Sequence, residues 1–250
     1  MDDLSPLTVN EYAVEYHDSI DSTNRRAREL ASTGARDILV LADRQTGGRG
    51  RLDREWSSPS GGLWCSLLFR PDRPVARMPL LTLAAAVATT RAVRTVGVDA
   101  GIKWPNDLLV DGRKLAGILT ESGGERRREP WVVVGIGVNA NVARTALPEG
   151  ATSLREVRAS NGEQRSVDRN RLIRRLIEEF DAVRTSDDEI LDAWREHAVT
   201  LGQHVRVETP NGTVVGDAVD VESPGALVVR TDEGRTRIHA GDCEHLRPVE

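Results

Sequence analysis

From Gly202 onward the chain changes its grammar. Four short runs, Val205–Glu208, Thr213–Val221, Ala226–Thr231 and Thr236–His239, are separated by the turn pairs Asn211-Gly212, Pro224-Gly225 and Glu233-Gly234. Asn and Gly supply the backbone conformations that tight hairpin turns demand, and such closely spaced turns leave no room for a helix. The tail is therefore expected to be a small, barrel-like all-β module. A domain boundary falls near residue 200, dividing the chain into 1–200 and 201–250.

Upstream, strand and helix patterns alternate. Asp21 or Ser22 can cap a helix in which Ala27, Leu30 and Ala31 fall at helical spacing and Gly34 is the stop. Strands are expected at Ile38–Ala42, Leu63–Phe69, Ile102–Trp104 and Trp131–Asn139. A hairpin is expected from Leu108–Val110 and Leu115–Thr120 across Asp111-Gly112. Pro71, Pro74 and Pro79 punctuate a loop before an alanine-rich, nearly all-apolar helix over Leu80–Val96. Two more helices are predicted from Asp168 to about Arg184 and from about Asp187 to His197. Gly135 and Gly137 weaken their strand, which signals either the close approach of a ligand or another backbone, or a local bulge.

The stretch from Gly47 to Trp56 holds Gly47, Gly48, Gly50, Arg49, Arg51 and Arg54. It is unsuited to a helix or a packed strand. Glycines let backbone N–H groups close on an anion, and guanidinium forks bind carboxylate or phosphate oxygens in pairs. Alone, this reads equally well as a solvated loop. A second segment, Lys103-Trp104-Pro105-Asn106-Asp107 followed by Lys114-Leu115-Ala116-Gly117-Ile118-Leu119, shifts the balance. Lys103 and Lys114 are the only lysines among 34 basic residues. Arginine enrichment through genome composition or habitat accounts for the general trend. The two surviving lysines are either chance or sites where a compact ammonium is required.

These groups suit electrostatic catalysis of phosphoryl or nucleotidyl transfer, in which positioning and charge neutralisation lower the barrier. A hydrolytic triad is not indicated, because the histidines at 17, 197, 204, 239 and 245 all lie outside the motifs. A net charge of −5 argues against binding a nucleic-acid backbone. No apolar run is long enough for a membrane span and Met1-Asp2-Asp3 does not begin a signal peptide, so a cytoplasmic protein is expected. Two cysteines signal neither a disulfide framework nor a zinc site, and Cys65 reads as a buried apolar side chain.

The order Asp21-Ser22-Thr23-Asn24, Gln45, Gly48-Arg49-Gly50-Arg51, Trp56, Lys103 to Asp107, Lys114 to Leu119 and Gly135-Ile136-Gly137-Val138-Asn139 closely resembles biotin protein ligases. The resemblance implies an α+β catalytic domain of class II synthetase-like type, a mixed sheet flanked by helices, followed by a small SH3-like β-barrel. It implies ATP, Mg²⁺ and biotin as reactants, biotinyl-5'-AMP as intermediate, and a lysine of a biotin carboxyl carrier protein as acceptor. Biotin contacts would come from Ser22, Thr23, Asn24, Gln45, Gly48, Arg49, Arg51, Lys114, Gly117 and Gly135. ATP contacts would come from Arg51, Arg54, Trp56, Lys103, Asn106, Asp107, Lys114 and Asn139, with Arg51 and Lys114 catalytic and Trp56 stacked on adenine. Asp107 would hold Mg²⁺ or orient Lys114, or it is a plain turn carboxylate; Trp104 reads as core packing.

Many bacterial members carry a basic residue and a glycine where Leu52 and Asp53 stand, so Asp53 must point away from a triphosphate. The short segment before Ser22 suggests the monofunctional type without a DNA-binding domain. A homodimer through a sheet edge is an open assembly. The rival readings are a lipoate or octanoyl transferase of the same fold and a non-catalytic biotin or nucleotide sensor.

Overall fold

The computed structural model describes residues 9, 11–70, 77–124, 130–163 and 166–246. Pro71 and Pro74 and the first residues lie outside them. In the first part, β1 (Ala13–His17), α1 (Thr23–Ser32), β2 (Ile38–Ala42), β3 (Leu63–Phe69) and α2 (Pro79–Arg94) come first. They are followed by β4 (Gly101–Lys103), β5 (Asp107–Val110), β6 (Arg113–Gly123), β7 (Trp131–Val138), α3 (Leu154–Ser160), α4 (Arg169–Val183) and α5 (Asp187–His197). The seven strands form one sheet in the order β1-β2-β3-β7-β6-β5-β4. Only β1 and β2 run parallel, so the sheet is mixed as expected.

β3 lies at the heart of this sheet, and all seven of its residues are buried. Covering on both faces explains why Leu-Trp-Cys-Ser-Leu-Leu-Phe reads as a continuous run rather than an alternation. On one face, Ala27 and Ala31 of α1 pack over Val40, Leu68 and Val133 in a small cluster. On the other, α2 lies between the sheet and α4 with α5, which is why its whole circumference is apolar. Ser22 caps α1 by accepting from the Arg25 N–H, and Asp168 caps α4 in the same way.

Two elements of this part escaped the sequence reading. β1, Ala-Val-Glu-Tyr-His, is a short edge strand without a clear apolar period, and α3 has only seven residues after its Ser153 cap. A buried ion pair ties α4 to β2's exit: Arg169, 3% exposed, places Nη1 2.8 Å from Asp43 Oδ1 and 3.0 Å from Gly62 O. Burial pushes the Asp43 carboxyl up, but hydrogen bonds from Ser60 and Arg169 outweigh it and hold it below the usual carboxylate range. Arg169→Ala is expected to cost about 3–5 kcal/mol in urea unfolding, since it strands Asp43 without its partner. The pair's stabilisation is complete above the ordinary carboxylate pKa and is lost as the pH falls through the lowered value.

The tail contains β8 (His204–Thr209), β9 (Gly212–Glu222), β10 (Ala226–Thr231), β11 (Gly234–Ile238) and β12 (Asp242–His245). They form a second, antiparallel sheet in the order β11-β10-β9-β8-β12. No ladder joins β11 to β12 among the described residues, so hydrogen bonding does not close this sheet into a ring. β12, Asp-Cys-Glu-His, carries no apolar period and was not foreseen. The module is fastened through Trp104, 1% exposed, whose Nε1 donates to Gly225 O at 3.1 Å. Trp104 is core packing, as read from the sequence.

Candidate active site

The site rests on a patch of sheet without side chains. Gly117 of β6 faces Gly137 of β7 directly across the ladder, and Gly135 faces Ser66 of β3. The β6–β7 register is continuous, so these glycines do not mark a bulge. They mark close approach: a methyl at Gly137 would sit 2.6 Å from Trp56 Nε1, one at Gly117 3.0 Å from Trp56 Cζ3, and one at Gly135 2.0 Å from Asn24 Oδ1. The Trp56 indole lies on this bare floor and meets Trp64 edge-on.

The Gly/Arg loop arches over the floor. It is closed by Trp56 N to Gly48 O at 2.9 Å and Gly50 N to Arg54 O at 2.7 Å. Leu52 and Asp53, at φ 54° and 55°, both occupy the left-handed region that favours glycine. Both are exposed, so the Asp53 carboxylate faces solvent and the expected conflict with a polyphosphate does not arise. Arg51 Nη1 donates to Asn106 Oδ1 at 3.1 Å and Nη2 to Gly241 O at 3.0 Å, while Arg54 pairs with Asp242. Lys114 Nζ lies 2.8 Å from Asp107 Oδ1 and 5.1 Å from the Trp56 ring centre. Together these residues line a cavity of ≈ 130 Å³, kept small by the Trp56 indole on its floor.

One wall of the cavity is a polarised hydrogen-bond relay. The Thr23 N–H donates to Gln45 Oε1 at 2.8 Å, which fixes the Gln45 amide, and Gln45 Nε2 donates onward to Ser58 Oγ. Asn24 Nδ2 donates to Leu119 O and to Glu121 Oε2, so its Oδ1 is an acceptor and must receive the Ser66 proton at 2.6 Å. The Thr23 hydroxyl then has two acceptors inside the protein, Ser66 Oγ at 2.8 Å and Gln45 Oε1 at 3.1 Å. With its proton turned inward, Thr23 offers lone pairs to the cavity, and the wall accepts an N–H.

Residues 16–139 match the biotin/lipoate A/B protein ligase family, and residues 200–246 match the C-terminal domain of biotin protein ligases. The chain is 39% identical over 241 residues to the bifunctional ligase/repressor BirA of Bacillus subtilis, a match covering 92% of this chain and 73% of that protein. The chain belongs to the biotin protein ligase family. It is also 35% identical over 239 residues to the biotin--[acetyl-CoA-carboxylase] ligase of Mycobacterium tuberculosis, covering 90% of this chain and 86% of the relative. Among solved structures, the Aquifex aeolicus biotin protein ligase in complex with biotin and ATP superposes with a TM-score of 0.78 at 27% identity, over 95% of this chain and all of that one.

Most of the residues that the ligase resemblance singled out converge on the cavity: Ser22, Thr23, Asn24, Gln45, Arg49, Arg51, Arg54, Trp56, Asn106, Asp107, Lys114, Gly117 and Gly135 line it. Three do not. Gly48 sits behind the loop, where a methyl would meet Trp56 O at 2.3 Å. Asn139 gives its amide to Thr152 O at 3.0 Å and to Lys114 O at 3.5 Å, so it braces the Lys114 backbone instead of facing the cavity. Lys103 stands at the seam with β12, where its charge acts on Asp242, Cys243 and His245.

Sequence reasoning missed Ser66 and Asp242. Ser66 looked like one residue of an apolar run; a polar residue opposite a strand glycine was the available signal. Asp242 lies in the unforeseen β12, and its hydrogen bond from Arg54 holds its carboxyl below the usual range. Burial lowers Arg51, which nevertheless stays a cation at neutral pH. The Arg54–Asp242 pair is largely exposed, so Asp242→Ala should cost less than about 1 kcal/mol of stability. It should, however, free the loop, seen as faster tryptic cleavage at Arg51 and Arg54; unchanged cleavage would show that the pair does not restrain it.

Among the described residues no cluster of three or more metal-ligating side chains occurs. Asp107 Oδ1 is paired with Lys114 Nζ at 2.8 Å, and a carboxylate has more lone pairs than this one contact uses, so it can still take a cation. A single carboxylate fits Mg²⁺ carried mainly by substrate phosphates. No helix among the described residues is long and apolar enough to cross a membrane.

Proposed function

We propose that this chain activates biotin with ATP as biotinyl-5'-AMP and passes the biotinyl group to a lysine of a biotin carboxyl carrier protein. The observation that carries this reading is the convergence of Arg51 and Lys114 on a cavity whose other wall accepts N–H donors. One end suits a carboxylate and a phosphate; the other suits the cyclic urea of biotin. Thr23 would accept a urea N–H, with Ser22, Gln45 and Arg49 completing that end, and Gly117 and Gly135 keeping the floor open.

In the first step the biotin carboxylate oxygen attacks the α-phosphate of ATP and pyrophosphate leaves with the electron pair of the broken P–O bond. Negative charge builds on the α-phosphoryl oxygens, and Arg51 and Lys114 neutralise it from fixed positions. Asp107 would hold Mg²⁺, which would supply further neutralisation of phosphate charge. Trp56 offers a face to adenine, Arg54 and Asn106 flank the nucleotide, Lys103 contributes through its field at the seam, and Asn139 holds the Lys114 backbone. In the second step the carrier amine attacks the acyl carbon and AMP departs.

The division at residue 200 follows the change from the seven-stranded sheet to the tail module. The short antiparallel strands, with a bulge between Val228 and Val229, support the reading of that module as an SH3-like barrel. The upstream domain is read as class II synthetase-like. A homodimer through the β1 edge would show in sedimentation equilibrium as twice the chain mass. The activity is tested by pyrophosphate release from ATP and Mg²⁺ without carrier. Release that requires biotin, and that lipoate does not replace, is the expected result; release with lipoate alone would favour a lipoate ligase, and binding without turnover a sensor.

A further inference from the structure

Beyond the Arg51–Asn106 hydrogen bond lies a second cavity, of ≈ 420 Å³. Arg51, Asn106, Ile118 and Leu119 line both spaces, so the two meet where the proposed function puts the reacting carboxyl group. One outer wall is the start of α2, with Met78, Thr82 and Leu83; the opposite wall is the tail module, with Gly225, His239 and Ala240. On the proposed function, biotin and ATP meet at the first cavity. The third reactant therefore needs its own approach to the acyl carbon.

We infer that the second cavity admits the target lysine side chain of the carrier protein, an inference that rests on the proposed function. The four methylenes of a lysine suit the apolar surfaces of Met78, Leu83, Pro105 and Ile118. None of the described residues lining it is a carboxylate, and Arg51 stands at the inner end. An ammonium is disfavoured there and the neutral amine is favoured. Its nitrogen lone pair forms the C–N bond, the C–O bond to phosphate breaks, and AMP takes that electron pair. The proton shed by the ammonium and the one shed as the amide forms both pass to water at the mouth. Pyrophosphate fits the same space poorly, because a multiply charged anion would meet mainly apolar walls.

Thr82 and Ala240 allow the route to be blocked from opposite sides without touching the first cavity. Thr82 is half-buried and bonded to Thr120 Oγ1 at 2.9 Å; Ala240 is exposed. In Thr82→Trp and in Ala240→Trp, biotin-dependent pyrophosphate release is expected to stay within about 2-fold of wild type, while transfer to the carrier falls by about 30-fold or more. Hydroxylamine, a nucleophile small enough to pass the indole, should discharge the bound adenylate at a nearly unchanged rate. Thr82→Ala, which loses the same hydrogen bond but leaves the route open, should transfer like wild type. Wild-type transfer in both tryptophan variants would overturn the inference, as would adenylation falling in step with transfer. Wild-type chain that releases no biotin-dependent pyrophosphate would overturn the proposed function itself and this inference with it.

Discussion

Lys114→Ala should lower biotin-dependent pyrophosphate release by about 10²–10³-fold while weakening biotin binding far less, because the ammonium acts chiefly on charge that develops in the transition state. The backbone at Lys114 is held independently of its side chain. Its N–H donates to Gly150 O at 2.8 Å and its carbonyl accepts from Thr152 N at 2.9 Å. The pairing with β5 shifts register between Leu108 and Leu109, opposite Lys114, and such a shift re-aims a side chain. Removing the side chain therefore removes a charge and leaves the strand in place. Lys114→Arg should not restore full activity, since a planar fork cannot replace a compact ammonium between Asp107 and the Trp56 ring. Pyrophosphate release and calorimetric titration with biotin separate the two effects. Near-wild-type release in Lys114→Ala would remove this residue from the chemistry.

Gly135→Ala should damage both the fold and the site. It would stand 2.0 Å from Asn24 Oδ1, so Asn24 must leave its place. Three hydrogen bonds go with it: to Leu119 O, to Glu121, and from Ser66, which is 0% exposed and has no water to turn to. Steric displacement and the loss of these hydrogen bonds, with Ser66 left only the Thr23 hydroxyl as partner, together suggest a loss of about 2–4 kcal/mol. Biotin affinity should fall by about 10-fold or more, because the relay that turns the Thr23 proton inward is broken. Asn24→Ala combined with Gly135→Ala removes the clash, so the pair should be markedly less destabilising than the sum of the single changes. Urea unfolding of all three variants measures this coupling, and simple additivity would show that the contact is relieved by other means.

Much of the first domain was legible because its signals are local. Ile38–Ala42 and Leu63–Phe69 appear at the predicted boundaries, and the Asp111-Gly112 turn sets the β5–β6 hairpin. Where local signals fail, the sequence is silent: β1 and β12 are held by neighbours and not by their own pattern, and α3 is too short to show a period. The site divides in the same way. The loop arginines, Lys114, Thr23 and Gln45 announce themselves by residue type. Asp242 and Ser66 act through partners 188 and 42 residues away, a relation that no window of sequence displays. Trp56 was recognisable as a stacking ring, but its seat on Gly117 and Gly137 becomes visible only once β6 and β7 are paired.

The docking of Arg51 on Gly241, across 190 residues, has a consequence for the order in which the protein is made. Ribosomes deliver a chain from its N-terminus, and domains generally fold as they emerge. The seven-stranded sheet and its bare glycine floor can form while the tail is still in the exit tunnel, but the Gly/Arg loop lacks its Gly241 and Asp242 anchors until β12 arrives. An incomplete chain would thus hold a pocket without its lid, unable to retain a reactive acyl phosphate. Closure of the lid therefore waits on a strand far down the chain from the loop it holds.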